Sequence, residues 1–129
     1  MNFTLLVTGP PYGTQNASTA FLFSKAVLNS KNKLLSIFFH FDGVLNANID
    51  ISYCSDEYNL IEQWINLHHK HSVQLNVCVS AASRRGLCFD NNIHNGYLKK
   101  NNDLWLSFNL TGFSELVKYI EKSDRIIKF

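Results

Sequence analysis

The chain has 129 residues, of which 46% are hydrophobic and 17% charged, with a formal net charge of +2. This excludes a disordered chain and gives enough length for one globular domain, residues 1–129, to bury a core without disulfide or metal staples. Lysine and arginine are scattered rather than gathered into a stripe, which argues against direct nucleic-acid binding through phosphates.

The opening MNFTLLVTGPPYG has no basic segment ahead of its short apolar run, so it does not read as a secretory signal. No stretch reaches the roughly 18 apolar residues of a membrane span. The expected location is the cytoplasm, with no membrane association. Low charge and 13% aromatic residues point to apolar surface kept for partner subunits.

Short apolar runs alternate with helical spacing along the chain, the pattern of an α/β fold with a buried, mainly parallel sheet. Phe3 to Val7 is the first strand. After Gly9-Pro10-Pro11-Tyr12-Gly13, the residues Ala17, Ala20, Phe21, Ser24, Val27 and Leu28 lie on one helix face. Leu34 to Phe39 is the second strand, and His40 to Ser55 is an Asn-rich connection whose length suggests function. Ser55 is the expected N-cap of a helix with Leu60, Ile61, Trp64, Ile65 and His68 inward, ending near His71. Val73 to Val77 is the third strand, followed by a short helix that begins at Ala81-Ala82-Ser83-Arg84-Arg85 and closes at Gly86. Phe89 to Asp103 is polar and irregular. Trp105 to Leu110 is the fourth strand, Thr111 caps a helix with Phe113, Leu116, Val117 and Ile120 inward, and Arg125 to Phe129 closes the sheet. A flavodoxin-like order sets the loops after the first and third strands side by side.

The three cysteines, Cys54, Cys78 and Cys88, are odd in number and lack C-x-x-C spacing, so free thiols are expected in a reducing compartment. Cys78 alone stands where a strand turns into a helix. Backbone N–H groups at a helix start favour thiolate over thiol, and Arg84 or Arg85 adds to this if turned toward the sulfur. With neighbouring first and third loops, the Gly9, Tyr12, Gly13 and Thr14 turn shapes the surroundings of Cys78 and leaves the sulfur partly open. Two readings stand side by side, a reactive nucleophile and a small buried hydrophobe. Cys54 and Cys88 lack that strand-to-helix setting and read as structural or incidental. His68, His69 and His71 do not share a face at ligand spacing, so no metal site is expected. The Gly9 to Gly13 loop lacks both the G-K-[ST] and the G-x-G-x-x-G patterns of phosphate-binding loops.

Six segments, VTGPPYGTQNASTAFLFSKAVL, FFHFDGVLNAN, SDEYNLIEQW, LNVCVSAASRRG, FNLTGFSEL and SDRIIKF, together resemble the DsrE-like sulfur-relay family over nearly the whole chain. The resemblance implies a three-layer, flavodoxin-like/DsrE-like fold with about five strands. It implies a persulfide carrier with Cys78 as the active cysteine, needing no cofactor. It also implies TusB-like and TusC-like subunits in a dimer of heterotrimers, a TusA-like sulfur donor, a TusE-like acceptor, and 2-thiolation of wobble uridine in tRNA by a separate enzyme. Two alternatives accompany it: a DsrE-type sulfur-trafficking subunit of sulfur oxidation, and a non-catalytic assembly subunit in which Cys78 is merely packed.

Overall fold

Five parallel strands form one sheet in the computed structural model, which describes residues 1–87 and 107–129. They are β1 (Asn2–Val7), β2 (Lys33–Phe39), β3 (Gln74–Cys78), β4 (Phe108–Thr111) and β5 (Arg125–Lys128), in the spatial order β4-β3-β2-β1-β5. The helices are α1 (Asn16–Leu28), α2 (Leu60–His71), α3 (Val79–Arg84) and α4 (Phe113–Lys122). The expected α/β class, parallel sheet and strand count are all observed. Cys88, the stretch from Phe89 to Asp103 and Trp105 lie outside the described residues.

The chain steps from β1 to β4 in one direction and then returns past three strands to β5. Right-handed crossovers therefore place α1 and α2 on one face and α4 on the other, and α4 packs against β1 and β2. The first face holds the apolar core: Phe39 meets Trp64 at 5.5 Å between ring centroids, and Trp64 meets Phe21 of α1 at 5.1 Å. The second face is partly polar. Asn76 donates to Ser36 at 2.8 Å across β3 and β2, both buried, and Thr4 of β1 meets Ser123 at 2.7 Å just after α4.

Several local expectations are corrected. The N-cap of α2 is Asn59, whose side chain accepts from the Glu62 backbone N–H at 3.1 Å, and not Ser55. Thr111 ends β4 instead of capping α4, whose N-cap is Gly112. Val117 and Ile120 do not face inward, being 49% and 39% exposed; Phe113 is 52% exposed although one side of its ring packs on Phe38, and Leu116 packs against the core. A single helix over β1 and β2 buries one narrow side of itself, and the i, i+4, i+7 stripe beside that side stays open.

The His40 to Ser55 connection is also more ordered than its sequence suggests, since Phe41–Ala47 forms a 3₁₀ segment. Asn46, fully buried, locks it to the turn after β1 and to α2. Its Nδ2 donates to the carbonyls of Gly9 (3.0 Å) and Gly43 (2.8 Å), and its Oδ1 accepts from Trp64 Nε1 at 3.0 Å. Each buried polar atom of this side chain is thus satisfied, which fixes the segment against both neighbours.

Candidate functional site

Cys78 is the last residue of β3 and the N-cap of α3. The run LNVCV is apolar enough to stay buried as a central strand, and the small Ser80-Ala81-Ala82 that follow allow the chain to turn tightly into a helix. Arg85 N–H donates to Ala82 O at 3.0 Å, and Gly86 closes the helix at φ +71°, a backbone shape that glycine adopts without strain.

The sulfur is not open. Cys78 is 1% exposed, and its Sγ lies 3.4 Å from Ser80 Oγ. The expected helix field is also smaller than a long helix would give, because α3 has six residues. Cys54 is exposed and lies outside helix and strand.

The supporting residues proposed from sequence fall into two groups. Gly9, Tyr12, Gly13 and Thr14 follow β1, and β2 stands between β1 and β3. That turn faces the 3₁₀ segment through the bond from Asn46 to Gly9, and Tyr12 is 70% exposed. The flavodoxin-like adjacency of the first and third loops is therefore not what brings chemistry to Cys78. Arg84 and Arg85 do lie beside it in chain, on and just after α3. The Arg85 side chain is held by other partners, with Nε donating to Asp42 Oδ1 at 2.9 Å and Nη1 to Ala81 O at 3.1 Å.

The topology supplies different neighbours. β3 runs into α3 beside the 3₁₀ segment, whereas β4 runs into α4 on the opposite face, so the outgoing chains diverge between β3 and β4. Crevices at such divergence points are where ligands of open parallel sheets gather. Cys78 sits at this one, with Thr111 its register partner on β4. On the other side, β2 pairs with β3 up to Phe39↔Val77, and His40 is the next residue. The chain from Thr111 through Gly112 to Phe113 crosses from β4 to β2 over the end of β3. There Phe113 stacks on Phe38 at 6.1 Å and meets His40 edge-on at 5.0 Å.

His40, Cys78 and Thr111 thus form one row at the carboxyl end of the sheet. Sequence reasoning passed over His40 as the start of a loop and read Thr111 as a cap. The available signal was position, since both follow directly on strand ends where reacting groups collect. Burial, and then the charges of Arg85 and Arg84, hold the His40 pKa below the ordinary histidine value.

This shift has a measurable consequence for stability. His40 resists protonation in the fold but accepts a proton freely once unfolded, at about pH 6.5. Its share of stability is therefore complete above that pH and lost as pH falls below it. Urea unfolding of the His40→Phe variant should show a weaker loss of stability between pH 7.5 and 5 than the parent; parallel pH profiles would refute this.

The sequence model of the DsrE/DsrF-like family matches residues 1–129. Sulfurtransferase TusD of Buchnera aphidicola subsp. Acyrthosiphon pisum (strain APS) is 56% identical over 129 residues, and that of subsp. Baizongia pistaciae 53% over 131, each alignment covering 100% of both chains. Sulfurtransferase TusD of Salmonella paratyphi B is 42% identical over 129 residues, again with 100% of both chains covered. Among solved structures, the crystal structure of the ychN protein from E. coli superposes with a TM-score of 0.67 at 17% identity over 100% of both chains, a likeness of fold. With a family match from end to end and sulfurtransferase relatives at this identity, the chain belongs to the DsrE/DsrF-like family, on its sulfurtransferase branch.

Proposed function

We propose that this sulfurtransferase carries relayed sulfur as a persulfide on Cys78. The observation that supports the assignment is the position of Cys78, the last residue of β3, at the divergence point between β3 and β4. In the transfer, the Cys78 thiolate attacks the outer sulfur of a donor R–S–SH. A new S–S bond forms, the donor's S–S bond breaks, and the products are Cys78–S–SH and the donor thiolate R–S⁻. Attack by an acceptor thiolate on the outer sulfur of Cys78–S–SH reverses these roles and restores Cys78. No electrons leave the system, so neither a metal nor an organic cofactor is required.

The donor is TusA-like and the acceptor TusE-like, in a cytoplasmic route to 2-thiouridine at the tRNA wobble position, with no direct contact between this chain and nucleic acid. The whole of residues 1–129 acts as one sulfurtransferase domain beside TusB-like and TusC-like subunits in a dimer of heterotrimers. The open apolar stripe of Phe113, Val117 and Ile120 supports docking of a partner on α4. No helix among the described residues is long and apolar enough to cross a membrane. Arg84 and Arg85 contribute positive charge near the site and take no part in bond making, while Gly9, Tyr12, Gly13 and Thr14 belong to the turn after β1, beyond β2.

The near-complete burial of Cys78 favours a second reading, a packed thiol in an assembly subunit. Intact-mass measurement separates the two. The full chain, alone and co-purified with TusB-like and TusC-like subunits, is treated with a persulfide donor. Gain of one sulfur, mapped to Cys78 and removable by a thiol, is the expected result. A mass unchanged in both preparations would establish the packed reading.

A further inference from the structure

The row across the sheet end contains more hydrogen-bonding capacity than the structure uses. Among the described residues, His40 Nδ1 and Thr111 Oγ1 are buried atoms with no hydrogen-bond partner. Leaving a polar group unpaired costs about 1–3 kcal/mol each, and the two stand at the ends of the strands that flank β3, His40 directly after β2 and Thr111 at the end of β4. Strand alternation turns Cys78 toward the same face as Asn76, the face on which Phe38 and His40 meet Phe113. Two unspent polar groups therefore bracket the sulfur, on the side sealed by the Thr111–Phe113 crossing.

We propose that His40 Nδ1–H and Thr111 Oγ–H form the subsite for the outer sulfur of the Cys78 persulfide, donating to it as the anion Cys78–S–S⁻. This rests on Cys78 being the sulfur carrier and adds what holds the cargo. A terminal sulfur is one atom longer than the resting thiol, so it brings an acceptor to a place where two donors lack one. Formation of the anion releases a proton from Cys78–S–SH to water, and no oxidant or reductant is involved.

The electrostatic surroundings suit an anion. A histidine kept neutral can present Nδ1–H as a donor. The charged groups facing it are Arg84 and Arg85 of the α3 region, with Arg85 paired to Asp42 of the 3₁₀ segment. On α4, Glu115 is engaged by Lys118 at 2.9 Å. Donor bonds to the charged form stabilise it over the protonated form and lower the persulfide pKa. They also keep the outer sulfur in its less electrophilic state, which guards it from stray thiols until a partner displaces the crossing.

The test compares persulfide-loaded parent, Thr111→Val, Thr111→Ser and His40→Phe. Valine matches threonine in shape, phenylalanine keeps the ring against Phe113, and Thr111→Ser restores the hydroxyl. Loading is verified by intact mass, and the pH midpoint of persulfide alkylation is read from the rate profile of each protein, with a Cys54→Ser, Cys88→Ser background. Thr111→Val and His40→Phe should raise the midpoint by about one pH unit, a tenfold change in the anion-to-acid ratio, and shed sulfur to dithiothreitol several-fold faster. Thr111→Ser should behave as the parent. Proteins that load normally but share one midpoint would overturn the subsite and leave the carrier role standing. Failure of the parent to load at all would overturn the carrier role and the subsite with it.

Discussion

Replacing Cys78 with serine should abolish sulfur transfer to the downstream carrier while leaving the fold and its assembly in place. The side chains are nearly isosteric, but an alkoxide is unavailable at neutral pH and oxygen cannot hold a sulfane sulfur, so the loss is chemical. The structure limits the folding cost. Cys78 is buried, and a new hydroxyl there would otherwise lack a partner, yet Ser80 Oγ already stands 3.4 Å from the sulfur and can pair with it. A cost near 1 kcal/mol is expected, within the range for a buried hydroxyl that finds one hydrogen bond. Transfer is measured with labelled sulfur from a donor persulfide to the acceptor carrier, and stability by urea unfolding. Cys54→Ser, at an exposed position, serves as the control that transfers normally. Residual transfer by Cys78→Ser would move the carrier role to another thiol.

Most of the sheet could be read directly from the chain because its strands are continuous apolar runs of the kind buried on a central sheet. Phe3–Val7 and Leu34–Phe39 lie within β1 and β2, and Arg125 begins β5 as expected. The helix faces of α1 and α2 were equally legible, since Phe21, Trp64 and Ile65 pack inward at 3.6-residue spacing. Lateral order was harder. Apolar periodicity reports that a strand is buried, but it carries no information about which strand lies beside it. Hence the turn at Gly9 to Thr14 was paired with Cys78, when β2 and its trailing His40 occupy that place.

The fate of Phe113, Val117 and Ile120 shows a second gap of the same origin. Their spacing is that of a helix with an apolar face, and α4 has one. Whether that face meets the sheet or a partner depends on how the helix is rotated over β1 and β2. The bond between Thr4 and Ser123 sets that rotation together with Leu116. Local sequence also favoured capping by Ser55 and Thr111, residue types that suit helix starts. Asn59 won at α2 because its side chain reaches the Glu62 N–H, while the β3 pairing of Thr111 with Cys78 draws it into the sheet.

The largest structural loss should come from Gly43→Ala, in the 3₁₀ segment that connects β2 to α2. A Cβ at Gly43 would collide with the Val7 carbonyl oxygen and lie 2.8 Å from its carbon and 3.2 Å from Thr8 Cα. These are backbone atoms of β1 and the turn beyond it, held by parallel pairing to β2 and β5, so they cannot yield as a flexible side chain would. The segment itself must move. That displaces the Gly43 N–H from His40 O (2.8 Å) and pulls Asn46 from Gly9 O, leaving Trp64 Nε1 to find another acceptor. Overpacking alone costs about 1–3 kcal/mol, and broken buried bonds add to it, so about 3 kcal/mol or more is expected. For a chain of this length that corresponds to a fall in Tm of roughly 10 °C. Gly112→Ala provides the contrast within the same sheet end: an added methyl there meets nothing within 4 Å, and its backbone is extended at φ −102°. That variant should melt within a degree or two of the parent, because a methyl placed in open space adds no strain. Differential scanning calorimetry of the two variants decides the matter. Equal melting temperatures would mean that the 3₁₀ segment is free to lift from β1, and that Asp42 is not a fixed anchor for Arg85 beside Cys78.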